Sequence, residues 1–118
     1  MLRILVVEDH PDLRETLSLL LEADGRHIEA VASAEAALQA FERQPFDVVF
    51  TDVKLPGQSG LALAERLGQA RPAPWIVISS GATVDAPQGE PATRIRFLGK
   101  PFAMEALDGL MAEFEGRT

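Results

Sequence analysis

The stretch of sequence that decides the fold is FDVVFTDVKLPGQSG, residues 46–60. Its apolar part, residues 48–50, is long enough for a buried β-strand and too short for an α-helix. The apolar pattern stops at the acid Asp52, and the proline and glycines that follow predict a loop that carries the backbone away from the strand. Open α/β sheets bind ligands beside such strand ends. Asp52 is therefore the first candidate functional residue.

The composition is that of one acidic globular domain. The chain has 118 residues, of which 47% are hydrophobic, and a net charge of −7. We therefore expect residues 1–118 to form a single domain with its own core. The negative charge argues against direct nucleic-acid binding by this chain, because phosphate contacts need a basic surface.

Nothing in the sequence predicts a membrane or secretory protein. No uninterrupted apolar run exceeds four residues, which is far too short to cross a bilayer. The first residues also lack the basic-then-apolar pattern of a signal peptide. The absence of cysteine removes disulfides and thiolate metal sites and is compatible with a reducing compartment. We therefore expect a cytoplasmic location without membrane insertion.

Strand-like and helix-like segments alternate along the chain. This alternation predicts a parallel sheet with helices on both of its faces. The first helix should bury one stripe of leucines, which recur at i, i+4, i+7 and i+8: Leu13, Leu17, Leu20 and Leu21. Helices are expected after the first, second, third and fifth strands, and the strands over residues 2–7, 27–32, 47–51, 75–79 and 94–98.

Polar residues follow four of the five predicted strands. Right-handed crossovers place the C-terminal ends of all parallel strands at one edge of the sheet. Each polar strand end alone is compatible with an ordinary solvated turn. Their shared edge predicts one pocket formed by Glu8 and Asp9, Asp52, Ser80 and Lys100.

The three carboxylates of this pocket would repel one another unless a cation lies between them. Only oxygen ligands are present, so the cation should be hard, with Mg²⁺ as the best match and Mn²⁺ or Ca²⁺ as alternatives. Mg²⁺ retains several waters and takes one or two direct carboxylates. We expect Asp9 and Asp52 to bind it directly, Glu8 to act through a water, and the backbone carbonyl of Lys54 to complete the set.

A metal ion and an ammonium group beside a carboxylate nucleophile suit phosphoryl transfer. In this hypothesis Asp52 attacks the phosphorus and becomes an acyl phosphate, a covalent route that other enzymes use. Lys100 contributes a point charge to one phosphoryl oxygen. The hydroxyl of Ser80 donates a hydrogen bond to another.

Taken together, these residues resemble the receiver domain of bacterial two-component response regulators. The matching pattern covers nearly the whole chain. It comprises residues 6–9 (VVED) after the first strand, Asp52 with Pro56 and Gly60 beyond it, residues 80–81 (SG) after the fourth strand, and residues 100–102 (KPF) after the fifth. The resemblance implies a flavodoxin-like (βα)₅ fold with strand order 2-1-3-4-5.

The resemblance also implies partners and roles. Asp52 would accept a phosphoryl group from the phosphohistidine of a sensor histidine kinase or a histidine phosphotransfer protein. Glu8 and Asp9 would form the acidic metal pair, while Ser80 and Lys100 would contact the phosphoryl group. Phe97 matches the aromatic switch residue of the family. Such a protein is a phosphoacceptor switch that promotes its own phosphorylation and slow dephosphorylation, rather than a metabolic enzyme.

The sequence departs from the family between the fourth and fifth strands. Receivers carry a helix there, whereas residues 82–93 contain Pro87, Gly89 and Pro91, which oppose a regular helix. We expect that helix to be short, irregular or missing. Because the family uses it, with the fifth strand and last helix, for dimerisation and output, the output partner stays open. The chain itself is compatible with a stand-alone receiver or with part of a longer regulator or hybrid kinase.

Three other readings compete with a phosphorylated receiver. A pseudo-receiver has the same fold and serves as a docking module without phosphorylation; failure to bind Mg²⁺ would favour it. A phosphohydrolase of the haloacid dehalogenase type needs a second acid two residues after the nucleophile, where this chain has Lys54. A nucleotide-binding domain needs a glycine-rich loop after the first strand, where this chain has Glu8 to Pro11.

Overall fold

The computed structural model describes residues 2–52, 55, 59–69, 73–80, 94–99 and 104–115. Strands and helices alternate in these parts of the chain as the sequence predicts. The elements are β1 (Leu2–Val7), α1 (Pro11–Leu21), β2 (Arg26–Val31), α2 (Ala34–Arg43), β3 (Val48–Asp52), α3 (Gly60–Leu67), β4 (Trp75–Ser80), β5 (Ile95–Gly99) and α4 (Met104–Glu115).

The five strands form one parallel sheet in the order β2-β1-β3-β4-β5, which confirms the predicted topology. The chain moves from β1 to β2 in one direction along the sheet and from β3 to β4 in the other, so right-handed crossovers place the helices after β1 and β3 on opposite faces. The predicted irregular segment between β4 and β5, residues 82–93, lies outside the described residues. None of the helices in the described parts is long and apolar enough to cross a membrane.

Strand pairing moves several strand ends by one residue relative to the sequence prediction. The strand β3 extends to Asp52, which pairs with Ser79 of β4, and β4 extends to Ser80, which pairs with Gly99 of β5. The apolar pattern ends earlier because these terminal residues are polar or glycine. The ladder continues past it since backbone hydrogen bonds do not depend on side-chain polarity.

The core has two halves, one on each face of the sheet. Side chains alternate between the faces along a strand, so neighbouring apolar residues serve different halves. The first half packs β-strand residues against α1 and α4 and contains Ile4, Val6, Val48, Phe50, Val77, Leu21, Leu107 and Phe114. The second half packs them against α2 and α3 and contains Leu5, Val7, Val49, Ile76, Ile78, Ala37, Ala40 and Leu63.

The predicted leucine stripe of α1 is only half right. Leu21 is fully buried and Leu17 is partly buried, but Leu13 and Leu20 are 47% and 40% exposed. The helix is rotated so that the face carrying Arg14, Leu17, Ser18 and Leu21 lies against the sheet. Arg14 takes an inward position that an apolar residue would otherwise occupy, because its guanidinium binds a backbone carbonyl of the site described below.

Two ion pairs hold α4 against the sheet. Arg96 of β5 makes a two-point contact with Glu113, at 2.8 and 3.2 Å. Arg26 of β2 makes a similar contact with Glu115, at 2.9 and 3.0 Å. The hydrogen bonds from Arg26 lower the pKa of the Glu115 carboxyl, and the same contact raises the pKa of Arg26.

We expect Glu115→Gln to lower the free energy of unfolding at pH 7 by at most about 1 kcal/mol, because the carboxylate is partly exposed and water screens the pair. A lowered folded pKa means that this contribution exists above the unfolded value of about 4.3 and disappears as the pH falls through the folded pKa. Urea unfolding of both proteins between pH 7 and pH 3 checks this. Glu65→Gln, which changes an exposed carboxylate of α3, serves as the control.

Candidate functional site

Three carboxylates meet at the C-terminal edge of the sheet. Glu8 and Asp9 follow β1, and Asp52 is the last residue of β3, the neighbour of β1 in the sheet. Each residue offers a carboxylate oxygen, and these oxygens lie within 4.8 Å of one another. The acidic cluster predicted from the sequence is therefore present among the described residues.

The turn after β1 has a fixed geometry. Glu8 is buried, and its Oε2 accepts a hydrogen bond of 3.3 Å from the backbone N–H of His10. Arg14, one helical turn further, donates from Nη1 to the backbone carbonyl of Glu8 at 3.0 Å. The exposed Asp9 lies between these two anchors. The turn thus presents one buried and one exposed carboxylate to the same space.

Asp52 is held by pairing with the neighbouring strand and by contacts with its backbone carbonyl. It pairs with Ser79 of β4, and its side chain is half-buried. The hydroxyl of the preceding Thr51 donates to the Asp52 backbone carbonyl at 3.0 Å. Gly60, the first residue of α3, lies against the same carbonyl. The carboxylate therefore extends from a well-supported backbone towards Glu8 and Asp9.

The donor set of this cluster fits a hard divalent cation. Oxygen ligands alone are present, and three carboxylates at this separation repel one another unless positive charge intervenes. Mg²⁺ accepts one or two carboxylates and keeps water in its remaining positions. The exposure of Asp9 and the half-burial of Asp52 leave space for such waters. Glu8, Asp9 and Asp52 are thus the described residues suited to hold the metal.

The other residues predicted for the site fall in three groups. Lys54 and Lys100 lie outside the described residues, so their roles stay predictions. Ser80 is the last residue of β4, and its side chain is likewise outside the described part. Phe97 lies in β5 opposite Ile78 and packs, partly buried, against the half of the core under α2 and α3.

The sheet register adds a residue that the sequence prediction did not include. Ser79, which is 8% exposed, is paired directly with Asp52, whereas Ser80 is paired with Gly99. Residues 48, 50 and 52 of β3 share one face with residues 75, 77 and 79 of β4, because faces alternate along parallel strands in this register. Ser79 is therefore the serine on the Asp52 side. The sequence prediction chose Ser80 because residues 80–81 (SG) match the family pattern.

Comparison of the sequence with known proteins identifies the family and several relatives of this chain. The family model described as the response regulator receiver domain matches residues 4–112. The transcriptional activator protein PfeR of Pseudomonas aeruginosa is 36% identical over 90% of the chain, and the virulence sensor protein BvgS of Bordetella pertussis is 39% identical over 99% of it. The chain spans 35% of PfeR and 10% of BvgS.

Solved structures share the fold over almost the whole chain. A CheY-like receiver domain from Methylobacillus flagellatus superposes with a TM-score of 0.83 at 32% identity, covering 97% of this chain and 98% of that one. The response regulator TrrA of Thermotoga maritima, in complex with Mg²⁺-BeF, gives 0.83 at 28% identity, covering 97% and 99%. A chain of the complex between the histidine kinase ThkA and TrrA gives 0.81 at 28%, covering 97% and 98%.

Proposed function

Because this chain belongs to the response regulator receiver domain family of two-component systems, we propose that it receives a phosphoryl group on Asp52 and acts as a switch. The donor is the phosphohistidine of a sensor histidine kinase or a histidine phosphotransfer protein. The observation that carries this proposal is the position of Asp52 at the end of β3, where one of its carboxylate oxygens lies within 4.8 Å of one oxygen each of Glu8 and Asp9.

The transfer is a direct displacement at phosphorus. An Asp52 carboxylate oxygen forms a bond to phosphorus while the bond between phosphorus and the donor imidazole nitrogen breaks, and the imidazole keeps the electron pair and takes up a proton. Mg²⁺, when bound, neutralises charge on the phosphoryl oxygens. The protein holds the nucleophile in line, with Glu8 and Asp9 beside it. The Mg²⁺-bound state of the relative TrrA supports this choice of metal.

Phosphorylation then acts as a change of charge at the edge of the sheet. The added oxygens need hydrogen-bond donors, for which we propose Lys100, a serine of β4 and backbone amides. The backbone carbonyl of Lys54 is the proposed additional ligand of the metal. Phe97 is the proposed responding residue. Moving a two-state surface from mostly off to mostly on takes roughly 5 kcal/mol, and charge-assisted hydrogen bonds to a phosphoryl group supply energies of this order. The resulting surface recruits the output partner.

Intact mass measurement after incubation with acetyl phosphate tests the proposed function. We expect one phosphoryl adduct that requires Mg²⁺, is absent in Asp52→Asn and persists in Asp24→Asn, which changes an exposed acid of the turn before β2. A folded protein that forms no adduct and binds no Mg²⁺ would instead be a pseudo-receiver that docks without phosphorylation. Such a result would replace the proposal.

The two serines of β4 can be separated by a matched pair of variants. If Ser79 supplies the hydroxyl, Ser79→Ala should slow Asp52 phosphorylation by about tenfold, the scale of one hydrogen bond to a charged group, while Ser80→Ala should have a smaller effect. The time course of adduct formation at saturating Mg²⁺ measures both rates. The opposite order would restore the assignment to Ser80 that the sequence alone predicts.

A further inference from the structure

We propose that Thr51 is a positioning residue for phosphoryl transfer, because its hydroxyl and the start of α3 together hold the peptide unit of Asp52. This inference rests on the proposed function and adds to it a residue on the opposite face of the sheet from the Asp52 carboxylate. Thr51 alternates with Asp52 along β3, so its side chain is directed to the α2 and α3 side.

The buried hydroxyl of Thr51 is hydrogen-bonded to the backbone of the next residue. Thr51 is 2% exposed, and a buried hydroxyl must be hydrogen-bonded to avoid a desolvation cost. Its Oγ1 donates to the backbone carbonyl of Asp52 at 3.0 Å. Because a β-branched side chain has few χ1 rotamers, this bond restricts the orientation of the carbonyl at the point where the strand ends.

The first turn of α3 packs against the same carbonyl. A Cβ atom added to Gly60 would overlap the Asp52 carbonyl oxygen and would lie 2.9 Å from the carbonyl carbon and 3.2 Å from Thr51 Oγ1. The helix start is itself fixed, since Ser59 Oγ accepts a hydrogen bond from the Ala62 N–H at 3.0 Å. The Asp52 carbonyl is thus confined by two neighbouring contacts, one with the hydroxyl and one with the start of the helix.

Confinement of this peptide unit fixes the direction of the Asp52 Cα–Cβ bond. The carboxylate on that bond must serve two purposes, since it contributes to the acidic cluster and forms the bond to phosphorus. Misplacement of a reacting group by about 1 Å can cost on the order of a hundredfold in rate. Thr51 therefore acts through Asp52, without contact with the phosphoryl group, and its loss should affect reaction rate and metal affinity together.

The variants Thr51→Val and Thr51→Ser separate the hydroxyl from the side-chain volume. We expect Thr51→Val, nearly isosteric, to slow adduct formation from acetyl phosphate at saturating Mg²⁺ by roughly tenfold and to weaken Mg²⁺ binding by about threefold. Thr51→Ser keeps the hydroxyl and should recover most of both. Thr16→Val is the matched control, because it makes the same substitution at an exposed threonine of α1.

Two readouts keep this inference distinguishable from the proposed function. The ¹³C chemical shift of the Asp52 carbonyl should move in Thr51→Val and return in Thr51→Ser, whether or not the protein is phosphorylated. A wild type that forms no adduct overturns the proposed function, and the Mg²⁺ affinity of Thr51→Val then decides the positioning role alone. Wild-type rate and Mg²⁺ affinity in a folded Thr51→Val protein would overturn the inference.

Discussion

Gly60→Ala is expected to slow phosphorylation of Asp52 by tenfold or more and to lower the free energy of unfolding by roughly 2 kcal/mol, the usual range for overpacking. The added methyl group would collide with the Asp52 carbonyl, and the rigid atoms of a backbone cannot rotate away as a flexible side chain can. Either α3 retreats or the end of β3 shifts. Urea unfolding and the time course of adduct formation measure the two effects.

Gly60→Ala is expected to destabilise the protein, whereas an ordinary glycine-to-alanine substitution in a helix stabilises it. Gly109→Ala in α4 is the matched control, because a Cβ there meets no atom within 4 Å. Alanine has the higher helix propensity, so this variant should stabilise the protein by roughly 0.5–1 kcal/mol and leave phosphorylation unchanged. A Gly60→Ala protein as stable and reactive as wild type would show that the contact with Asp52 carries no constraint.

The reason for glycine at position 60 illustrates what the sequence could and could not predict. The sequence places Gly60 in a loop rich in turn residues, where a left-handed backbone is the usual explanation. Among the described residues, Gly25 alone has a positive φ, at 83°. Gly60 is required instead by close approach of α3 to Asp52, a contact between segments that no local pattern contains.

The topology, by contrast, follows from local patterns. Apolar runs of strand length alternate with helical periodicities, and right-handed crossovers leave few arrangements of such units. The shared edge of Glu8, Asp9 and Asp52 was predictable for this reason, whereas the strand order was predicted from the resemblance to receiver domains. The same physics also predicts that a carboxylate cluster forms, since strand ends, and not side-chain contacts, bring these residues together.

Register and helix rotation were not predictable to the same degree. The choice between Ser79 and Ser80 depends on which residue pairs with Asp52, and a shift of one residue changes the face of the sheet. The rotation of α1 depends on Arg14, which turns inward to bind the Glu8 carbonyl and so leaves Leu13 and Leu20 exposed. Both features are decided by tertiary partners, which periodicity does not encode.

The second large effect concerns the acidic cluster: we expect Asp9→Asn to raise the free energy of unfolding without metal and to lower it with Mg²⁺ bound. Asp9→Asn removes one of three carboxylate charges, each of which has one oxygen within 4.8 Å of an oxygen of the other two. At that distance the Coulomb repulsion per pair is about 3 kcal/mol at an effective dielectric constant of ~20. Asp9 is exposed, so solvent should reduce this to roughly 1 kcal/mol. The metal-free variant is therefore expected to be more stable than wild type.

With Mg²⁺ present, the same substitution should reverse its effect. Loss of a charged ligand weakens Mg²⁺ binding, by at least about tenfold. The stabilisation that a bound ligand gives grows with the logarithm of its concentration relative to its dissociation constant, so weaker binding means less stabilisation. Isothermal titration and urea unfolding with and without Mg²⁺ measure both quantities.

Asp12→Asn is the control. Asp12 lies in the first turn of α1, where its charge interacts favourably with the helix dipole, so its loss should destabilise the protein slightly in both conditions. A crossover in Asp9→Asn alone therefore assigns the repulsion, and the metal that relieves it, to the cluster of Glu8, Asp9 and Asp52. Parallel behaviour of the two variants would remove Asp9 from the metal site.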